Sequence, residues 1–175
     1  MLLRVLLIGV SLAVAAVIDG AWLWRLPLPA APDLLLLIAL AVGLRHGLAS
    51  GAAAGAAAGY LRDLISGGPL GLFALSYLAV GALAGAASAV VDLQERSVPA
   101  AAALVGTFAL ALFGGALISV TGVAAITWVR LVGETVVAAA LNALLAGWVD
   151  ALIRSIDRLA QRRYEGRVIG HKVLR

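Results

Sequence analysis

The chain contains no cysteine, which excludes disulfides, thiolate metal sites and thiol nucleophiles. Charge is scarce as well: Asp, Glu, Lys and Arg make up 13% of the 175 residues, against about 25% in a soluble domain. Lysine occurs only at position 172 and histidine only at 46 and 171. There is accordingly no GxxxxGK[ST] phosphate loop and no HExxH zinc helix, and no Ser/His/Asp set surrounds a strained turn. His46 has no second histidine, cysteine or carboxylate at metal spacing nearby and reads as a solvated turn residue. The acids Asp19, Asp63, Asp92, Glu134 and Asp150 are scattered over different segments. No catalytic set, metal site or cofactor site emerges, and the expectation is a protein that is not an enzyme.

What the chain has in abundance is apolar surface. Hydrophobic residues make up 63% and the mean hydropathy is +1.08, so this is an integral membrane protein. Its length suffices for about five to seven helices of about 20 residues, with no separate soluble domain. The net charge of +4 would suggest nucleic acid in a soluble protein. Here, however, seven of the 13 basic residues (Arg154, Arg158, Arg162, Arg163, Arg167, Lys172 and Arg175) fall in the last 22 positions. A basic tail after a transmembrane helix is an orientation signal for the cytoplasm and a contact for anionic lipid, and no nucleic acid is expected.

Six apolar segments follow one another: Leu2 to Trp24, Leu34 to Leu44, Leu48 to Leu61, Leu70 to Val91, Val98 to Val120 and Thr127 to Val149. The first is interrupted by Asp19 and closes in Trp22, Trp24 and Arg25, a group suited to the headgroup boundary. Three of the five prolines lie between Leu26 and Asp33, which makes that stretch a loop and Asp33 an N-cap. The 11 residues of the second segment reach roughly 17 Å, short of a core of about 30 Å, so it must extend, tilt or sit in thinned membrane. The third carries Gly51, Gly55 and Gly59 among alanines, a ridge that lets a neighbouring backbone approach closely. The fourth carries Tyr77 and the Gly81 and Gly85 pair, and Pro99 opens the fifth, where proline is tolerated. In the sixth, Arg130 and Glu134 stand four apart and can pair, and Asn142 can hydrogen-bond to another helix. From Asp150, Leu152, Ile153, Ile156 and Leu159 keep helical spacing opposite Arg154, Asp157, Arg158 and Arg162, predicting an amphipathic helix at the membrane surface. Residues 1–153 thus read as a transmembrane domain and 154–175 as a basic cytoplasmic tail.

Charge sets the orientation. With six spans and a cytoplasmic amino terminus, Arg4, Arg45, Arg96 and the seven tail residues fall inside, and Arg25, Arg62 and Arg130 outside. Ten against three agrees with the positive-inside rule. Five spans would place the basic tail outside. The turn Ser66-Gly67-Gly68-Pro69 then faces outward, preceded by Arg62-Asp63. Each of these charges would cost about 2.5 to 3.5 kcal/mol facing lipid. Two readings of the pair stand: an internally paired feature that caps the turn, or an interfacial contact site.

The run Pro32-Asp33-Leu34-Leu35-Leu36-Leu37, the stretch Gly59-Tyr60-Leu61-Arg62-Asp63-Leu64-Ile65-Ser66-Gly67, and Pro69-Leu70-Gly71-Leu72 followed by Leu75-Ser76-Tyr77-Leu78 and Val80-Gly81 resemble the MreD family of rod shape-determining proteins. Arg62 and Ile65 depart from that family's commoner residues. The resemblance implies a non-enzymatic scaffold of the bacterial cell-elongation machinery in the inner membrane. It also implies MreC as partner, with links to RodA, a class B penicillin-binding protein and MreB. The implied fold is an all-α bundle of six transmembrane helices, some short, similar to the substrate-binding subunits of energy-coupling-factor vitamin transporters. On the scaffold reading, small-residue ridges such as Gly51, Gly55 and Gly59 receive a partner helix, Asp63, Pro69 and Gly71 shape the outer turn, Arg62, Tyr77 and Gly81 complete a partner-binding or structural motif, and Arg154, Arg158, Arg162 and Arg163 meet lipid or filament. The alternative is a vitamin-transporter subunit holding a small molecule in an outward cavity, which three tyrosines and four tryptophans furnish thinly.

Overall fold

The computed structural model describes residues 2–21, 30–67, 69–93, 95–122 and 128–173, with side chains over 3–21, 30–67, 69–93, 95–122 and 131–161. Six helices account for it: α1 (Leu2–Ala21), α2 (Leu34–His46), α3 (Leu48–Ser66), α4 (Leu72–Ala87), α5 (Val98–Thr121) and α6 (Trp128–Val173). The boundary group Trp22, Trp24 and Arg25, the Arg130 side chain, and the side chains of Arg162 and Arg163 lie outside the described residues.

Helix α2 is the centre of the bundle. Its sequence is apolar on every side, the signature of a helix buried all round, and every side chain from Leu35 to Leu44 is buried. It packs against α1, α3, α4, α5 and α6. The shortness that posed a problem in lipid is therefore resolved by protein: a 13-residue helix of about 20 Å needs no match to the bilayer when other helices surround it. Asp33 caps it as expected, with Oδ1 accepting from Leu36 N at 2.9 Å. At its other end Gly47 alone links it to α3, at φ 81° and ψ −177°, a conformation open essentially to glycine.

Helices α3 and α4 form the most extensive pair in the bundle, and glycine is the reason. Gly51 lies against the Gly81 carbonyl, Gly55 against the Tyr77 carbonyl and Gly59 against the Phe73 carbonyl. A Cβ at any of the three would intrude on that backbone oxygen. The ridge does receive a helix, but it is α4 of the same chain. Of the two uses expected for Gly51, Gly55 and Gly59, partner binding or internal structure, the folded chain displays the internal one, with Gly81 on the opposing helix.

Successive helices alternate in direction. One pole gathers the end of α1, the starts of α2 and α4 and the end of α3, where Gly71 N meets Asp63 and Tyr77 meets Asp33. The opposite pole gathers the start of α1, the end of α2 and the middle of α6. There Arg45 Nε and Nη2 donate to Asp150 at 2.6 and 2.9 Å, Arg154 joins Asp150 at 3.1 Å, and Arg4 reaches Asp157 at 4.0 Å. His46 is not a solvated turn residue: its side chain is 9% exposed and Nε2 lies 3.3 Å from Asp157 Oδ1. Sequence spacing could not show this, because the carboxylate arrives from a helix more than a hundred positions on.

Among the described residues, three helices are long and apolar enough to cross a membrane by themselves: Leu3–Ala21, Val98–Thr121 and Leu131–Gln161. Helices α2 and α4 are shorter, and α4 ends at Ala87 rather than near Val91, where i→i+3 bonds tighten the chain out of the helix. Helix α6 runs 46 residues, about 69 Å, without a break at the start of the amphipathic stretch. Ile153 and Ile156 stay in the core cluster with α1 and α2, while Leu152, Arg154, Arg158 and Leu159 are exposed.

Candidate functional site

The Asp63 carboxylate is buried at 1% exposure. Gly71 N donates to its Oδ2 at 2.8 Å, Phe73 N to Oδ1 at 2.9 Å and Ala74 N to Oδ2 at 3.2 Å. Gly71, at φ 103°, is the N-cap residue of α4 and offers no side-chain cap of its own. Asp63 supplies that cap from α3, satisfying three amide groups that the helix cannot satisfy internally and placing negative charge at the positive end of its dipole. The turn-capping role is thus borne by Asp63 without Arg62. Neighbours in a helix point in different directions, and Arg62 instead faces Asp33, Tyr77 and Asp19. Pro69 is exposed in the intervening turn.

Beside this cap lies a chain of polar contacts joining α4, α5 and α6 to the α2 cap. The Tyr77 hydroxyl donates to Asp33 Oδ2. Asp33 N donates to Asn142 Oδ1 at 2.7 Å, Asn142 Nδ2 to Thr107 Oγ1 at 2.9 Å, and Thr107 Oγ1 to Ala103 O at 2.6 Å. Asn142 therefore makes the interhelical bonds its position suggests, to α5 and to the cap of α2. Replacing Tyr77 with phenylalanine removes the donor to a partly buried carboxylate oxygen. It is expected to lower stability by about 1–3 kcal/mol, read as a fall in the Tm of the detergent-solubilised protein.

These groups line a partly open cavity of about 590 Å³, into which Asp19, Asp33, Arg62, Tyr77, Glu134 and Asn142 bring polar atoms. The other wall is apolar, with Leu110, Gly114 and Ile118 from α5 and Leu131 and Ala138 from α6. Asp19 is 1% exposed. Among the described residues no group of three His, Cys, Asp or Glu could hold a metal. What the arrangement can do chemically is hold a helix end rigid and bind a polar group; the cap and the network tie down the backbone of this pole.

The family model for rod shape-determining protein MreD matches residues 1–156. The chain belongs to the MreD family. No curated protein and no solved structure matches it. Membership makes it a membrane protein of the rod-shape machinery with a scaffolding, non-enzymatic role, linked to MreC and the elongation complex. In this MreD-family bundle, the Gly59–Ser66 run and the Pro69–Gly71 turn are one structural unit: the glycine admits α4 and the aspartate caps it.

Sequence reasoning missed the joint action of Asp33, Tyr77 and Asn142, and the inward orientation of Asp19. One signal was available for Asp19. An ionisable residue inside an apolar span faces protein or water by default, and it marks a site before any partner is known.

Proposed function

We propose that this MreD-family protein is the membrane scaffold that holds MreC and so positions RodA and a class B penicillin-binding protein, with MreB reached from the cytoplasmic side. The family match over residues 1–156 carries this reading. In it all six helices cross the membrane, the short α2 wholly covered by protein and the short α4 covered on one face, on a plan like that of the small energy-coupling-factor subunits. Ten basic residues against three then favour cytoplasmic termini. The long α6 carries Arg154, Arg158, Arg162 and Arg163 to anionic lipid or filament.

Since α4 fills the α3 ridge, the partner helix needs another face. The groove between α4 and α5 suits it: about 280 Å³ of space, with Leu83, Ala84, Ala101, Ala102 and Val105 in its wall. Leu83 and Val105 are 54% and 70% exposed, and small residues let a helix come close.

The test is affinity purification from native membranes with a photo-crosslinking residue at Val105 or, as control, at Val10 on α1. MreC is expected to co-purify and to crosslink from Val105 but not Val10. Recovery of an ATPase-bearing transporter module, or of a stoichiometric water-soluble vitamin, would establish the transport subunit instead.

A further inference from the structure

We propose that the cavity at the Asp33 pole binds an amphipathic ligand whose polar end carries a protonated amine, namely an aminophospholipid of the surrounding membrane. The observation that carries this is Asp19. Its side chain is buried, lines the cavity, and has no hydrogen-bond partner for either carboxylate oxygen among the described residues. Asp33, by contrast, has its carboxylate engaged by Leu36 N and Tyr77. Arg62 faces both acids, Asp33 more strongly than Asp19. Arg62 and the amides that open α2 at Leu34 and Leu35 temper the charge of Asp19, but none of them makes a hydrogen bond to its carboxylate oxygens among the described residues. A buried, unpartnered charge is costly, and an intramembrane acid of this kind marks a ligand site by default.

The cavity's shape fits the same ligand. At about 590 Å³ it lies within the range of about 300–1,000 Å³ usual for small-molecule sites. A primary ammonium placed at Asp19 offers three N–H donors to its two free oxygens. The phosphate of the same headgroup meets the Arg62 guanidinium, and the apolar body lies along Leu110, Ile118, Leu131 and Ala138. An anionic headgroup without an amine leaves Asp19 unsatisfied and adds like charge. A quaternary choline brings charge but no N–H donor.

The full chain, purified in maltoside detergent, is offered phosphatidylethanolamine, phosphatidylglycerol and phosphatidylcholine in equal amounts, and retained lipid is read by native mass spectrometry. Phosphatidylethanolamine is expected to be retained about tenfold over the other two. Asp19→Asn is expected to bring the ratio close to one without lowering the Tm, because it removes an unpaired buried charge. Ala138→Leu narrows the cavity without touching Asp19 and is expected to lower phosphatidylethanolamine retention by a similar factor. Two sources of the amine are separated by two further arms. Phosphatidylethanolamine carried through from native membranes identifies the lipid. Its absence, together with Asp19-dependent binding of added dodecylammonium, identifies a free amphipathic amine. Equal retention of the three lipids with no Asp19-dependent dodecylammonium binding overturns the proposal, and so does a preference that survives in Asp19→Asn. The assay needs no partner protein, so its outcome is independent of the scaffold reading.

Discussion

Replacing Gly55 with leucine is expected to separate α3 from α4 and to cost the bundle about 3 kcal/mol or more. A Cβ at this position falls within contact distance of the Tyr77 carbonyl oxygen and 2.8 Å from its carbonyl carbon, with Leu78 Cα at 3.1 Å. All three are backbone atoms of a helix, which cannot move aside as a flexible side chain would. Relief therefore requires the two helices to part along their whole contact, undoing the neighbouring approaches at Gly51 and Gly59 as well. The measurement is thermal unfolding and size-exclusion behaviour in detergent. Alanine at the same position should be damaging too, since the clash begins at Cβ. Gly9→Leu serves as control: nothing lies within 4 Å of a Cβ there, and a change within about 0.5 kcal/mol is expected. A folded, stable Gly55→Leu protein that merely fails to bind MreC would return the ridge to the partner and refute its internal use.

The Asp63→Ala substitution is expected to cost a similar amount, about 3 kcal/mol or more, by a different route. Alanine leaves the amides of Gly71, Phe73 and Ala74 without their acceptor, at a site where the replaced carboxylate was 1% exposed. Each buried amide left unsatisfied costs about 1–3 kcal/mol. Asparagine keeps one acceptor oxygen and should fall between aspartate and alanine. Amide hydrogen exchange localises the effect: protection should fall first in the opening turn of α4, with α5 and α6 little changed. Uniform protection across α4 in Asp63→Ala would show that the cap is dispensable.

Both predictions change what the central stretch means for a rod shape-determining scaffold. In the folded chain the glycine ridge is occupied by α4, and the aspartate by the amides at the start of α4. Ridge and aspartate build the α3–α4 hairpin and its turn, and a partner would read that shape indirectly. Loss of complex in either variant would then accompany loss of the fold, whereas a change at Val105 in the α4–α5 groove would separate the two.

Some features were fixed by local sequence. The apolar runs and their breaks at Pro27 to Pro32, Gly47 and Gly67 set the number and order of the helices, because helix formation and termination depend on residues within a turn or two. The N-cap at Asp33 was legible for the same reason. The spacing of Gly51, Gly55 and Gly59 announced a close helix contact, and the family motif around Asp63 and Pro69 was readable as a string. None of these signals carries the identity of a distant neighbour.

Tertiary structure alone decided the partners. It put α4 on the glycine ridge, turned Asp63 toward α4 and Arg62 toward Asp33, brought Asp150 and Asp157 of α6 to Arg45 and His46, and left the buried Asp19 carboxylate without a hydrogen bond among the described residues. It also explained a 13-residue α2 by surrounding it with protein. The physical reason is common to all of these: in an apolar chain nearly every helix face can pack somewhere, so hydrophobic pattern does not choose among neighbours. The choice falls to close backbone fit at glycine and to the few polar groups that must find one another away from water.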